Sequence, residues 1–175
     1  MEINKKSIKT LPKIVKTINN LKKILASDNK EMKRLSWDEY FMSIAFLAKS
    51  RSPCTRLHVG CVLVKNNKLI GTGYNGFLPG APHESIIENN HERATIHAEV
   101  NALANTTEKI KVEDNVVAYI THSPCHECVK SLLANGVRII KYYDTYKNVS
   151  SASLKLISDV NAKIIDLYQE KQITV

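Results

Sequence analysis

The sequence predicts a three-layer α/β/α sandwich around a five-stranded mixed sheet, with a helical extension in front of it. Three observations carry that expectation. After an initial hairpin the chain alternates helical and β-rich runs, which implies βαβ units and a sheet covered on both faces. Its 175 residues suit one domain with a full core. The positive charge is unevenly spread: residues 1–35 hold ten basic and three acidic side chains, +7, while residues 36–175 hold fifteen and fourteen, +1. The expected boundaries are therefore an extension over 1–35 and a nearly neutral body over 36–175.

In the extension, Leu11, Ile14, Val15, Ile18, Leu21 and Leu25 recur at helical spacing, and Pro12 is tolerated only in a first turn, so a helix is expected over Pro12–Ser27. Docking on the body or on a neighbouring subunit is the simplest use of such a helix. The alternatives are a basic arm for nucleic acid or anionic lipid, an organelle presequence, disfavoured by Lys in place of Arg, or a compositional bias without a role. In the body, Ser36-Trp37-Asp38-Glu39 is a capping-box start, and Phe41, Ile44, Ala45 and Ala48 form a stripe that ends near Ser50. Val59–Val64 and Leu69–Gly73, joined by Lys65-Asn66-Asn67-Lys68, read as a hairpin. A loop follows over Tyr74–Glu84. The remaining order is helix Ala94–Ala104, strand Val116–Thr121, helix Cys125–Ala134 stopped by Asn135-Gly136, strand Val137–Tyr143, helix Ser151–Val160 and strand Ala162–Leu167.

Composition narrows the function. No apolar run approaches the ~18–20 residues of a membrane span, and the N-terminus lacks a secretory pattern. Four cysteines without an export signal are not a disulfide framework. A reducing, cytoplasmic location is expected.

Chemistry concentrates in His97-Ala98-Glu99 and Pro124-Cys125-His126-Glu127-Cys128. Alone, Cys125-x-x-Cys128 is ambiguous between half a structural zinc site and a redox pair. No second pair at zinc-finger spacing completes a structural site, and a redox motif would follow the first strand rather than the third. Cys125 and Cys128 on the first turn of a helix project their sulfurs to one side, where the helix N-terminus favours thiolates. If the sheet brings the preceding helix alongside, His97 completes a three-ligand zinc set with the fourth position left to water, which is a catalytic arrangement. Glu99, two residues on, points away from the ligand direction but can flank the metal as a proton carrier.

His-x-Glu followed by Pro-Cys-x-x-Cys is the zinc deaminase signature, and the chain resembles the cytidine deaminase superfamily. It is most similar there to the deoxycytidylate (dCMP) deaminases. That likeness rests on Trp37-Asp38-Glu39-Tyr40-Phe41-Met42, Arg51-Ser52-Pro53-Cys54-Thr55-Arg56 leading into Val59-Gly60, Gly73-Tyr74-Asn75-Gly76-Phe77, His97-Ala98-Glu99-Val100-Asn101-Ala102 and Ser123–Cys128. The resemblance implies a cytidine deaminase-like fold and zinc-dependent conversion of dCMP to dUMP and ammonia, with Glu99 as the catalytic proton carrier. It implies that Asn75 meets the sugar and the Ser123 carbonyl region meets the ring amino group, with Arg51, Arg56 and the backbone of Gly76–Gly80 as candidates for the phosphate. It also implies a homo-oligomer responsive to dCTP and dTTP, with Tyr142–Tyr146 where such enzymes place regulatory or intersubunit aromatics. Leu78-Pro79 departs from the Pro-Arg of many relatives and removes a cation, so phosphate recognition stays open. Some relatives carry a second, structural zinc. Here Cys54 and His91 match in kind, while Glu84, with His83 adjacent, stands where a cysteine is expected. The other reading is an ordinary thiol and solvated loop histidines. Two alternatives to the nucleotide enzyme are a transfer-RNA adenosine deaminase held by the basic arm, disfavoured by the neutral body, and a non-catalytic zinc subunit of the same fold.

Overall fold

A computed structural model describes residues 34–89 and 91–174. The fold below is that of the unit Ser36–Val175. The Pro12–Ser27 helix expected from the sequence lies outside the described residues.

The first helix, α1 (Trp37–Lys49), starts as its sequence requires: the Ser36 hydroxyl accepts from the Glu39 N–H at 3.2 Å, and the Ser36 N–H donates to Glu39 Oε2 at 2.7 Å. Its stripe buries Phe41, Met42, Ala45 and Ala48. The hairpin follows as β1 (Gly60–Lys65) and β2 (Lys68–Tyr74). Asn66 and Asn67 take φ of 50° and 58°, the two left-handed residues a tight hairpin turn needs. Next come β3 (Gly76–Phe77), β4 (Ile87–Glu88), β5 (His91–Glu92), β6 (Thr95–Ile96) and helix α2 (Ala98–Ala104). The chain continues as β7 (Val117–His122), α3 (His126–Ala134), β8 (Ile139–Asp144), α4 (Ser151–Asp159), β9 (Lys163–Asp166) and β10 (Lys171–Ile173).

The main sheet runs β10-β9-β8-β7-β1-β2, with β7, β8 and β9 parallel and the other pairs antiparallel. Strand β1 is buried on both sides: Val62 and Val64 pack with Phe41, Met42 and Ala45 under α1, while Cys61 and Leu63 join the core shared with α2 and α3. The three layers follow from that alternation. Cys61, fully buried, is a core residue as its strand position implies.

Two features differ from expectation. The sheet has a sixth strand, β10, because Asp166 Oδ1 accepts from the Gln169 N–H at 3.0 Å and Glu170 turns at φ 51°, a reversal made without glycine. Helix α2 begins at Ala98 rather than Ala94, because β-branched Thr95 and Ile96 pair with Phe77 and Gly76 instead. Among the described residues no helix is long and apolar enough to cross a membrane.

Candidate active site

The site lies at the carboxyl ends of parallel β7 and β8, where an open α/β sheet leaves a crevice. His97 is the N-cap of α2 and Cys125 the N-cap of α3, both with extended backbone that frees the side chain from the helix. Cys128 follows in the first turn of α3 and is buried. What brings α2 close enough is Gly73 on β2. A Cβ there would sit 2.2 Å from the Ala98 carbonyl oxygen and 2.3 Å from the Ala102 nitrogen, so only glycine lets the helix rest on the strand.

The three candidate ligands converge. His97 Nδ1 is 3.2 Å from Cys128 Sγ and 3.6 Å from Cys125 Sγ, and all ligand atoms lie within 4.8 Å of one another. Donor separations of roughly 3.3–3.8 Å are what a tetrahedral zinc with its usual bond lengths requires. The donor chemistry fits as well. Cys125 is pulled down to about 4, first by its hydrogen bond with Cys128 and then by His97, against the effect of burial. Cys128 is pushed up by the same bond and by burial. His97 is raised by its hydrogen bond to Cys125. Glu99, in the first turn of α2, is 4% exposed. Burial holds its carboxyl above the usual range, partly offset by its backbone hydrogen bond and by His97.

His97, Glu99 and Cys125 line a cleft of about 300 Å³. Asn75 enters it with its amide fixed: Oδ1 accepts from Ser52 Oγ and the Val59 N–H, each at 2.7 Å, and Nδ2 donates to the Leu57 carbonyl at 2.7 Å. One N–H of Nδ2 is left over. Ser123 and Arg56 also line the cleft, and Arg56 donates to the Tyr146 hydroxyl. Arg51 does not line it. Its guanidinium lies 6.0 Å from the Tyr74 ring centroid. Sequence reasoning missed Tyr146, Lys147, Asn148 and Glu92 as cleft residues. The tyrosines of 142–146 stood out in the sequence as regulatory or intersubunit aromatics, not as cleft residues. Glu92 Oε1 accepts from the Ile86 and Ala94 N–H groups, and its Oε2 is buried without a hydrogen-bond partner.

The second ligand set does not gather. Among the described residues, His97, Cys125 and Cys128 form the one such group; Cys54, His83, Glu84 and His91 do not. The physical reasons are local. His83 stacks on Phe77 at 5.3 Å, Glu84 is exposed, and His91 is surrounded by the cations Lys147, Arg56 and Arg93, which together with burial lower its pKa.

Fold and site together define an α/β/α protein with a His/Cys/Cys group positioned to bind a metal ion and a buried carboxylate beside it. Residues 35–144 match the family described as the cytidine and deoxycytidylate deaminase zinc-binding region, and the chain belongs to that family. It is 37% identical over 120 residues to the ComE operon protein 2 of Bacillus subtilis, covering 66% of this chain and 64% of that protein. It is 32% identical over 164 residues to the deoxycytidylate deaminase of Saccharomyces cerevisiae, covering 86% of this chain and 52% of that enzyme. The chain thus spans less than two thirds of these relatives' length. Against the deoxycytidylate deaminase of Mycobacterium phage D29 it is 35% identical, covering 63% of this chain and 97% of the other. The dCMP deaminase of cyanophage S-TIM5, solved with dCMP and dUMP, superposes with a TM-score of 0.65 at 27% identity over 77% of this chain and 99% of that one.

Proposed function

We propose that this chain catalyses the hydrolytic deamination of dCMP to dUMP and ammonia. The observation that carries the reading is the convergence of His97, Cys125 and Cys128 beside buried Glu99, in a cleft whose rim holds Arg56 and Lys147 without a carboxylate partner among the described residues. The cyanophage enzyme, solved with dCMP and dUMP, supports the same substrate class.

His97, Cys125 and Cys128 would hold zinc, which when bound supplies Lewis-acid activation of the attacking water and stabilises developing negative charge. Glu99 does the proton work. As the water oxygen bonds to C4 of the cytosine ring, Glu99 takes one proton from it and hands that proton to N3. It then moves the remaining hydroxyl proton to the amino nitrogen as the C4–N bond breaks, so that ammonia leaves and N3 keeps its hydrogen. Burial suits the carboxyl to both directions of transfer. The spare Asn75 N–H is oriented for a sugar oxygen, and Arg56 and Lys147 supply the charge for the 5′-phosphate. A reducing cytoplasm keeps Cys125 and Cys128 as the free thiols the ion needs.

The test is ammonia release from dCMP, deoxycytidine, dCTP and cytosine by the zinc-loaded protein. The expected result is a kcat/KM for dCMP about 10–100-fold above that for deoxycytidine, the worth of charged hydrogen bonds to the phosphate. No turnover of dCMP, or no preference for it, overturns the proposal. Glu99→Gln should keep its zinc and lose about 10³-fold in kcat, measured at saturating dCMP with metal content determined alongside.

A further inference from the structure

Beyond the last β7–β8 pair, His122 with Asp144, the two chains diverge, one into the Cys125 turn and the other into residues 145–150. Among the described residues no main-chain-to-main-chain hydrogen bond involves residues 145–149. Thr145 Oγ1 reaches Asp166 and Val149 packs on the core, but the main-chain groups of Tyr146 and Lys147 are held by one hydroxyl. Ser123 Oγ donates to the Lys147 carbonyl at 2.7 Å and accepts from the Tyr146 and Lys147 N–H groups at 3.1 and 3.3 Å. A hydroxyl offers one donor and two lone pairs, so all of its capacity is used on this segment.

That segment carries Lys147 and, in Tyr146, the partner of Arg56, the other cation of the rim. The Tyr146 ring centroid is 5.2 Å from Arg56 and 5.6 Å from Lys147, and its hydroxyl accepts from Arg56. Ser123 stands two residues before Cys125. Its hydroxyl therefore ties the metal-ligand turn to the charged segment across the gap between two diverging strands.

We infer that Ser123 is a positioning residue whose hydroxyl, rather than its carbonyl alone, sets the distance from the metal corner to the Arg56–Tyr146–Lys147 cluster, and so makes the enzyme selective for a 5′-monophosphate over the free nucleoside. This rests on the dCMP reading above. The hydroxyl does not touch the reacting atoms. It acts through the main chain of Tyr146 and Lys147.

The experiment compares zinc-loaded wild type with Ser123→Ala, Ser123→Cys and Ser123→Thr. Two readouts are taken: amide hydrogen exchange at Tyr146 and Lys147, and the ratio of kcat/KM for dCMP to that for deoxycytidine. Expected are lost protection at both amides and a ratio lowered about tenfold in the Ala and Cys variants, mostly through KM for dCMP, with both restored in the Thr variant. Cys keeps the side-chain volume, so it decides the question if the Ala variant does not fold. Unchanged protection shows that the hydroxyl does not hold the segment, and lost protection with an unchanged ratio removes it from selectivity. Either result overturns the inference. If wild type itself shows no preference for dCMP, the functional reading fails and the selectivity inference falls with it, while the exchange data still report whether the tie exists.

Discussion

Two sets of side chains in this molecule have the composition of a zinc site, and only one is assembled. His97, Cys125 and Cys128 sit at the starts of α2 and α3, both docked on the central sheet, and their donor atoms come within 4.8 Å. Cys54, His83, Glu84 and His91 hang on loops and a two-residue ribbon, and no three of them come together. The difference teaches that ligand chemistry assembles where rigid elements aim it and where the local field is suitable. At the first set, a helix N-terminus favours thiolate. Around His91, Lys147, Arg56 and Arg93 repel a dication.

The strongest way to break the contrast is Cys128→Ala. It removes a buried ligand, and zinc content should drop from about one ion per chain to near none, with dCMP turnover lost alongside. Metal analysis after dialysis measures this, and retained stoichiometric zinc would remove Cys128 from the ligand set. The second largest effect is expected from Gly73→Ala, far from the metal in sequence. The added methyl meets the α2 backbone, so α2 must shift. The cost should be about 2–4 kcal/mol in chemical denaturation, with weaker zinc binding because His97 rides on that helix. A cost below about 0.5 kcal/mol would mean the helix is not held by this contact.

A sharper contrast comes from the unassembled set. The combined variant Cys54→Ser, His83→Ala and Glu84→Gln should still bind about one zinc per chain, the same as wild type. A second equivalent in wild type that disappears in the variant would overturn the distinction. The smallest effect concerns His122, a cleft histidine fixed on the end of β7. Burial and then Lys49 lower its pKa, partly opposed by Asp144. Protonation is therefore less favourable in the folded chain than in the unfolded one. The unfolded state takes up the proton first, and stability should fall as pH drops below about 6.5. His122→Gln should flatten that part of the stability–pH curve, read by thermal unfolding between about pH 7.5 and 5.5.

How far the sequence carried the reader differs for each part of the site. The zinc trio was legible because each ligand lies in a short motif at a helix start, and the β-α-β alternation implied that the starts share one edge. The capping box at Ser36 and the Asn66-Asn67 hairpin were legible for the same reason: their chemistry is local. Lys147 was not, and Tyr146 was not as a cleft residue, because their main chain is set by a hydroxyl 23 or 24 residues upstream, a contact that no local pattern announces. Which of Arg51 and Arg56 enters the cleft was not legible, because a cation near a motif carries no sign of which way it turns; Arg56 lines the cleft and Arg51 lies near the Tyr74 ring. Strand β10 escaped notice because its turn uses Asp166 and Glu170 rather than glycine.

That late strand has a consequence for how copies of the molecule meet in concentrated solution. Lys171–Ile173 is the outermost rung of the sheet, yet it offers only three residues, with Lys171 and Gln172 facing water. So short a ladder, opened by an ammonium group, gives a foreign strand little to align with. At this edge, opposite the one formed by β2, the sheet therefore ends in a poor template for an added strand.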